Sequence, residues 1–123
     1  MRIAGNRTDR QWAALKKMLK ANPSPRLWNF AFDKYYLARI ETRYLAPIRA
    51  IEKNDNYEGA GFSVVALFCT LVEFLESCEQ GHNFHILKAG EVRKPFTYGP
   101  RKAAKYFEAF FRRRAPFNKL MPS

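Results

Sequence analysis

Phe62-Ser63-Val64-Val65-Ala66-Leu67-Phe68-Cys69-Thr70-Leu71-Val72-Glu73-Phe74-Leu75-Glu76-Ser77-Cys78-Glu79-Gln80-Gly81 is the stretch whose reading decides the fold class. Its β-branched Val64, Val65, Thr70 and Val72 permit a strand. Its uninterrupted length of about 18 residues is too great for one strand and suits a helix. Apolar side chains fall on nearly every side, so the helix is expected to be packed on several faces, the buried centre of a bundle. Gly81 takes the C′ position that ends it, and Gly59-Ala60-Gly61 reads as a flexible joint ahead of it. The uncharged run from Gly59 to Val72 spans 14 residues. That falls short of the roughly 18 needed for a membrane span, and Glu73 and Glu76 follow at once, so the expectation is a core helix with no membrane.

Working outward, Thr8 and Gln11 have the spacing of a capping box. Trp12, Leu15, Met18 and Leu19 then recur at helical spacing, with Lys16, Lys17 and Lys20 near the end where cations suit the helix dipole. This amphipathic N-terminal helix (1–22) stops at Asn22-Pro23-Ser24-Pro25. Ser24 can cap the next helix with Pro25 at its first position. Its apolar pattern runs from Leu27 to Ile51 with Pro47 inside, which predicts a kink or break near Ala46. Asn54-Asp55-Asn56 reads as a loop. On the other side, residues 82–99 are irregular and leave room for a short β-hairpin pairing 84–87 with 96–98. Pro100 opens a last helix from Arg101 to Arg114, whose apolar face is Ala103, Tyr106, Phe107, Phe110 and Phe111, and Pro116 stops it. The expected fold is therefore all-α, a single domain over 1–123 of four or five helices, with 24–118 as the bundle core.

The chain has 123 residues and a net charge of +11, with a pI near 10.0. Aromatic residues make up 15%, too many for a disordered chain. The charge is uneven. Residues 1–56 hold 12 basic and 5 acidic side chains, 57–90 hold 1 and 4, and 91–123 hold 9 and 2. Two basic ends flank an acidic, apolar middle, so a polyanion site would be built from the ends. Cys69 and Cys78, nine apart on one helix, lie roughly 13 Å apart along it, beyond the ~7 Å limit of a disulfide. They read as buried thiols of a reducing cytoplasm, and no apolar leader is visible in the first ten residues.

Arg39 and Arg43 share a helix face with Tyr35 and Tyr36 close by, a pairing that suits phosphate contact and base stacking. Arg101, Lys102, Lys105, Arg112, Arg113, Arg114 and Lys119 put seven cations in nineteen residues. Arg39, Arg43, Arg101, Lys102, Lys105, Arg112, Arg113 and Arg114 are thus the candidate nucleic-acid contacts. Each has an ordinary alternative, a solvated or snorkelling helix face. Glu73, Glu76 and Glu79 read as a solvated stripe or as salt-bridge partners of the basic ends, before a carboxylate pair for acid–base work or a metal, and the apolar surroundings of Glu73 would suit a buried pairing with an arginine of the Arg39–Arg43 stretch. His82 and His85 are three apart, but no ligand completes a metal motif, and they read as loop residues. A hydrolase built on them is the weakest reading. There is no P-loop, GxGxxG, CxxC, GxSxG or HExxH, so no local motif supports an enzyme, a cofactor or a metal.

The helix 35–51 followed by Gly59-Ala60-Gly61-Phe62-Ser63 and the apolar run to Glu73-Phe74-Leu75, together with Tyr106-Phe107-Glu108-Ala109-Phe110-Phe111 and Arg114-Ala115-Pro116-Phe117, resembles the front part of a bacterial family of uncharacterised HEPN-like helical proteins. The resemblance covers about residues 30–118. It implies a helical bundle, often dimeric, of the kind found in toxin–antitoxin and anti-phage systems. Many HEPN domains cut RNA with an Arg-x(4–6)-His motif. That motif is absent here and would be expected beyond Phe117, so no catalytic residue is carried over. The resemblance and the charge together imply a non-catalytic, cytoplasmic module that binds nucleic acid, RNA before DNA. The alternative is a small protein-interaction module or phage-derived inhibitor, binding an acidic or nucleoprotein partner or forming a homodimer.

Overall fold

The structure is a computed structural model and describes residues 1–54 and 58–122. The described residues are mostly helical, as the sequence predicts, and the chain divides into two compact units, Met1–Val64 and Val65–Ser123.

The first unit opens with a hairpin absent from the sequence reading. β1 (Arg2–Ala4) pairs antiparallel with β2 (Arg7–Thr8) across Gly5 and Asn6. Gly5 has φ +53°, as the first central position of a tight two-residue turn requires. α1 (Asp9–Ala21) then starts on the expected capping box. The Gln11 N–H donates to Thr8 Oγ1 at 3.3 Å, and the Thr8 N–H donates to Gln11 Oε1 at 2.9 Å. α1 buries Leu15 and Leu19 against Ala4, Ala31 and Tyr35, with Ile3, Trp12, Leu27 and Ala38 packed around them. Met18, expected on that face, is exposed.

The second helix is one rod of changing pitch: α2 (Pro25–Ala31), a wide π turn (Phe32–Leu37), α3 (Ala38–Ile40), a second π turn (Glu41–Leu45) and α4 (Ala46–Glu52). Ser24 caps it by accepting from the Leu27 N–H at 3.2 Å, and Pro25 sits in its first turn. Of the kink or break expected near Ala46, the break does not occur, since Leu45 and Ala46 keep helical dihedrals. The π turn explains why. The Ala46 N–H reaches back five residues to the Glu41 carbonyl, and Pro47 then lies in the first turn of α4, where a missing N–H costs least. The loop expected at Asn54-Asp55-Asn56 lies, from Asp55 onward, outside the described residues.

α5 (Ala60–Gln80) confirms the long apolar helix, with Ala60 and Gly61 in its first turn rather than in a joint. Gly81, at φ +71°, ends it. The His82 N–H bonds the Ser77 carbonyl and the Gly81 N–H bonds the Cys78 carbonyl, the paired closure of a Schellman motif. The expected burial does not hold. Leu71, Glu76 and Ser77 are its buried residues, while Phe62, Val65 and Phe68 are exposed. α5 is long and apolar enough to cross a membrane, and only 17% of its most apolar window is buried. Composition states that such a helix favours cover, not that its own chain supplies it. Cys69 is half-buried and Cys78 exposed, so the expected pair of buried thiols also fails.

The second unit continues with β3 (Asn83–Phe84) and β4 (Thr97–Tyr98). They pair in parallel, not as the antiparallel hairpin expected, because the chain loops back through residues 85–96 before forming β4. A 3₁₀ turn (Pro100–Lys102) leads into α6 (Ala103–Arg113), and another (Phe117–Lys119) follows Pro116. Tyr98 and Tyr106 are buried and stack with ring centroids 4.0 Å apart.

Candidate nucleic-acid interface

The C-terminal cations divide into two groups. Arg112, Arg113 and Arg114, at the end of α6, are engaged within the chain. Arg112 bonds Glu108 one turn back at 2.6 Å and the Pro122 carbonyl at 2.9 Å. Arg113 and Arg114 reach Glu76 at 3.2 and 2.8 Å, and Arg114 also pairs with Glu79 and lies over the Phe110 ring at 4.1 Å. Glu76 has no exposed surface. Burial pushes its carboxyl up, but hydrogen bonds from Arg114 and Gln80 and the charge of the two arginines outweigh this and hold it below the usual range. Three of the cations read as nucleic-acid contacts are thus already paired with carboxylates of α5 and α6.

Arg101, Lys102 and Lys105 form the second group. All three are exposed, and among the described residues they have no carboxylate partner. Pro100 starts the turn that carries Arg101 and Lys102, and both side chains line a cleft of about 460 Å³. Its other walls are Leu87 and Arg93 from the loop, Thr97, Tyr98 and Gly99 around β4, and Pro100. Three cationic residues and no acidic one therefore line a cleft whose wall is otherwise mostly apolar.

Sequence reasoning passed over Arg93, and the geometry shows what holds it. Its Nη1 donates to the His85 carbonyl at 2.6 Å. Its guanidinium lies so close over Gly99 that a Cβ there would sit 2.5 Å from Nη2. His85 in turn bonds Glu91 at 2.8 Å, and the other Glu91 oxygen accepts the Lys88 N–H at 2.9 Å. The Lys88 N–H, and then His85, hold the Glu91 carboxyl below its ordinary value. His85 is a brace of this loop. Of the residues at this spot outside the cations, the sequence singles out only Pro100, as the start of the last helix.

His82 faces elsewhere, with its Nδ1 against the Tyr106 hydroxyl. The Tyr98 hydroxyl donates to Glu73 at 2.8 Å. Glu73 therefore has Tyr98 as a partner within its own unit. Burial, and then the bond to Glu73, push the Tyr98 hydroxyl far above its usual range, and burial also raises Tyr106. Both phenols stay protonated across the physiological range, and Tyr98 donates to Glu73 there.

Arg39 and Arg43 lie in the first unit, on α3 and the π turn after it. Arg43 is exposed, Arg39 is half-buried, and Tyr35 is buried against Trp12, with ring centroids 5.0 Å apart. Of the stacking pair expected here, Tyr35 is spent in the core. Among the described residues no group of three or more potential metal ligands comes together. Compared with known family models, curated proteins and solved structures, the chain has no match.

Proposed function

We propose that this protein binds nucleic acid, RNA in preference to DNA, through the cleft of Arg93, Arg101 and Lys102. The observation that carries the reading is the cleft itself: three cations from two segments, no acid among its lining residues, and one cation fixed in place by Gly99 and the His85 carbonyl. A phosphate contacted there releases condensed counterions, so binding falls steeply with salt. Lys105 lies on α6 just beyond and extends the charge. The preference for RNA rests on the resemblance to HEPN-like proteins, and an anti-phage or toxin–antitoxin setting in the cytoplasm is the context that resemblance supplies.

The test is a salt titration of binding to labelled single-stranded RNA and to double-stranded DNA, for the wild type and for R101E/K102E. The double variant is expected to bind more weakly on every sequence, with a salt slope shallower by about two. Wild-type protein that fails to bind either ligand at low salt would end the reading. R113E and R114E are unsuitable here, because both remove partners of a buried carboxylate.

A second reading is favoured by the exposed face of α5. Phe62, Val65 and Phe68 fall within an arc of about 120° at 100° per residue, and all three are more than two-fifths exposed. An apolar stripe of this kind suits a protein partner, a homodimer in the simplest case.

A further inference from the structure

The residues that line the cationic cleft include no exposed aromatic ring, but the residue next to its wall along the chain carries one. Phe96 immediately precedes Thr97 of the cleft wall and is 71% exposed. Its backbone has φ +61°, in the left-handed region that bulky side chains avoid. Glycine would suit this position at lower conformational cost. The conformation is pinned from both sides: the Asn83 N–H donates to the Phe96 carbonyl at 2.8 Å, and Thr97 Oγ1 donates to the Lys94 carbonyl at 2.6 Å. The ring has His82 as a neighbour, with centroids 6.3 Å apart, yet stays largely exposed, so packing repays little of the strain. Backbone strain of this kind gathers at ligand sites.

We infer that Phe96 is a stacking platform for an unpaired base, and that the ligand of the cleft is single-stranded nucleic acid. This inference rests on the polyanion reading above. A ring beside a phosphate-binding cleft is the combination that single-strand binders use, the cations following the backbone and the aromatic face taking a base of any sequence. A duplex keeps its bases stacked inside and offers none to such a ring. RNA and DNA single strands share this chemistry, so both belong in the test.

The experiment measures affinity for a short oligouridylate, an oligodeoxythymidylate of equal length and a blunt RNA duplex with the same number of phosphates. It uses the wild type, F96G and F96W. Glycine suits φ +61°, so F96G is expected to keep its fold, checked by circular dichroism. On whichever single strand binds, F96G is expected to lose affinity by roughly 5- to 100-fold with an unchanged salt slope. F96W should restore it, and duplex binding should not move. A fluorescent purine analogue within the strand should be quenched by the wild type and not by F96G. Single-strand affinity that survives F96G, or a wild type that binds the duplex as tightly as the single strands, would overturn the inference while leaving the cationic cleft standing. No binding of any of the three ligands by the wild type, with R101E/K102E indistinguishable from it, would overturn both.

Discussion

At Glu76 a carboxylate with no exposed surface meets Arg113, Arg114 and the Gln80 amide. Its proton affinity in the folded chain lies below the ordinary 4.5. Its stabilisation is therefore present in full above that value and is lost as pH falls through the lower folded value. Thermal unfolding followed by circular dichroism should show stability declining below about pH 4.5, and E76Q should flatten that decline. At neutral pH, E76Q is expected to cost about 2–3 kcal/mol, less than for a fully buried pair, because Arg114 keeps Glu79. The same network shows what was legible at this scale. The sequence leaves the glutamates of the middle segment either as a solvated stripe or as partners of the basic ends, and Glu76 takes the second role. Which cations they would take was not legible, because the pairing spans 35 to 38 residues and depends on where the end of α6 falls. Hence Arg112, Arg113 and Arg114 look like a binding cluster in the sequence, whereas Arg93, outside any such cluster, joins the cleft.

Elements were legible where their causes are local. The capping box of α1, the Ser24–Pro25 start of the second helix and the Gly81 stop of α5 each depend on a few adjacent residues. T8A is expected to lower stability by about 1 kcal/mol, the ordinary cost of an N-cap. G81A should cost at least as much, since alanine must take φ +71°. Urea unfolding of the two variants checks both values. Features with no strong signal in a short window were less legible. The first hairpin consists of three- and two-residue strands, too short to show alternation, and only the Gly5-Asn6 pair hinted at a turn. The π turns arise in a run whose apolar spacing is simply helical, and they let Pro47 pass without a break. The parallel register of β3 and β4 is set by the loop network of His85, Glu91 and Arg93, which no short window of sequence displays.

Across the whole chain, charge and apolarity make separate demands on a partner. A net charge of +11 favours polyanions over long range and opposes self-association. The stripe of Phe62, Val65 and Phe68 on α5 favours apolar cover at short range. The balance between them depends on salt in opposite directions. Added salt screens the repulsion between like-charged chains and weakens phosphate contacts together. If the stripe joins two copies, the mass found by sedimentation should rise with protein concentration and with salt, while nucleic-acid affinity falls over the same range. F62K/F68K should return the protein to monomer at every salt concentration. It should also keep its helix content, because Phe62 is 82% exposed and the lysine stem can keep part of the cover that Phe68 has at 45% exposed. A wild type that stays monomeric at high concentration and high salt would remove the homodimer. The cationic cleft would then be the better supported of the two surfaces, since its own variant, R101E/K102E, leaves the α5 stripe untouched and should leave the sedimenting mass unchanged.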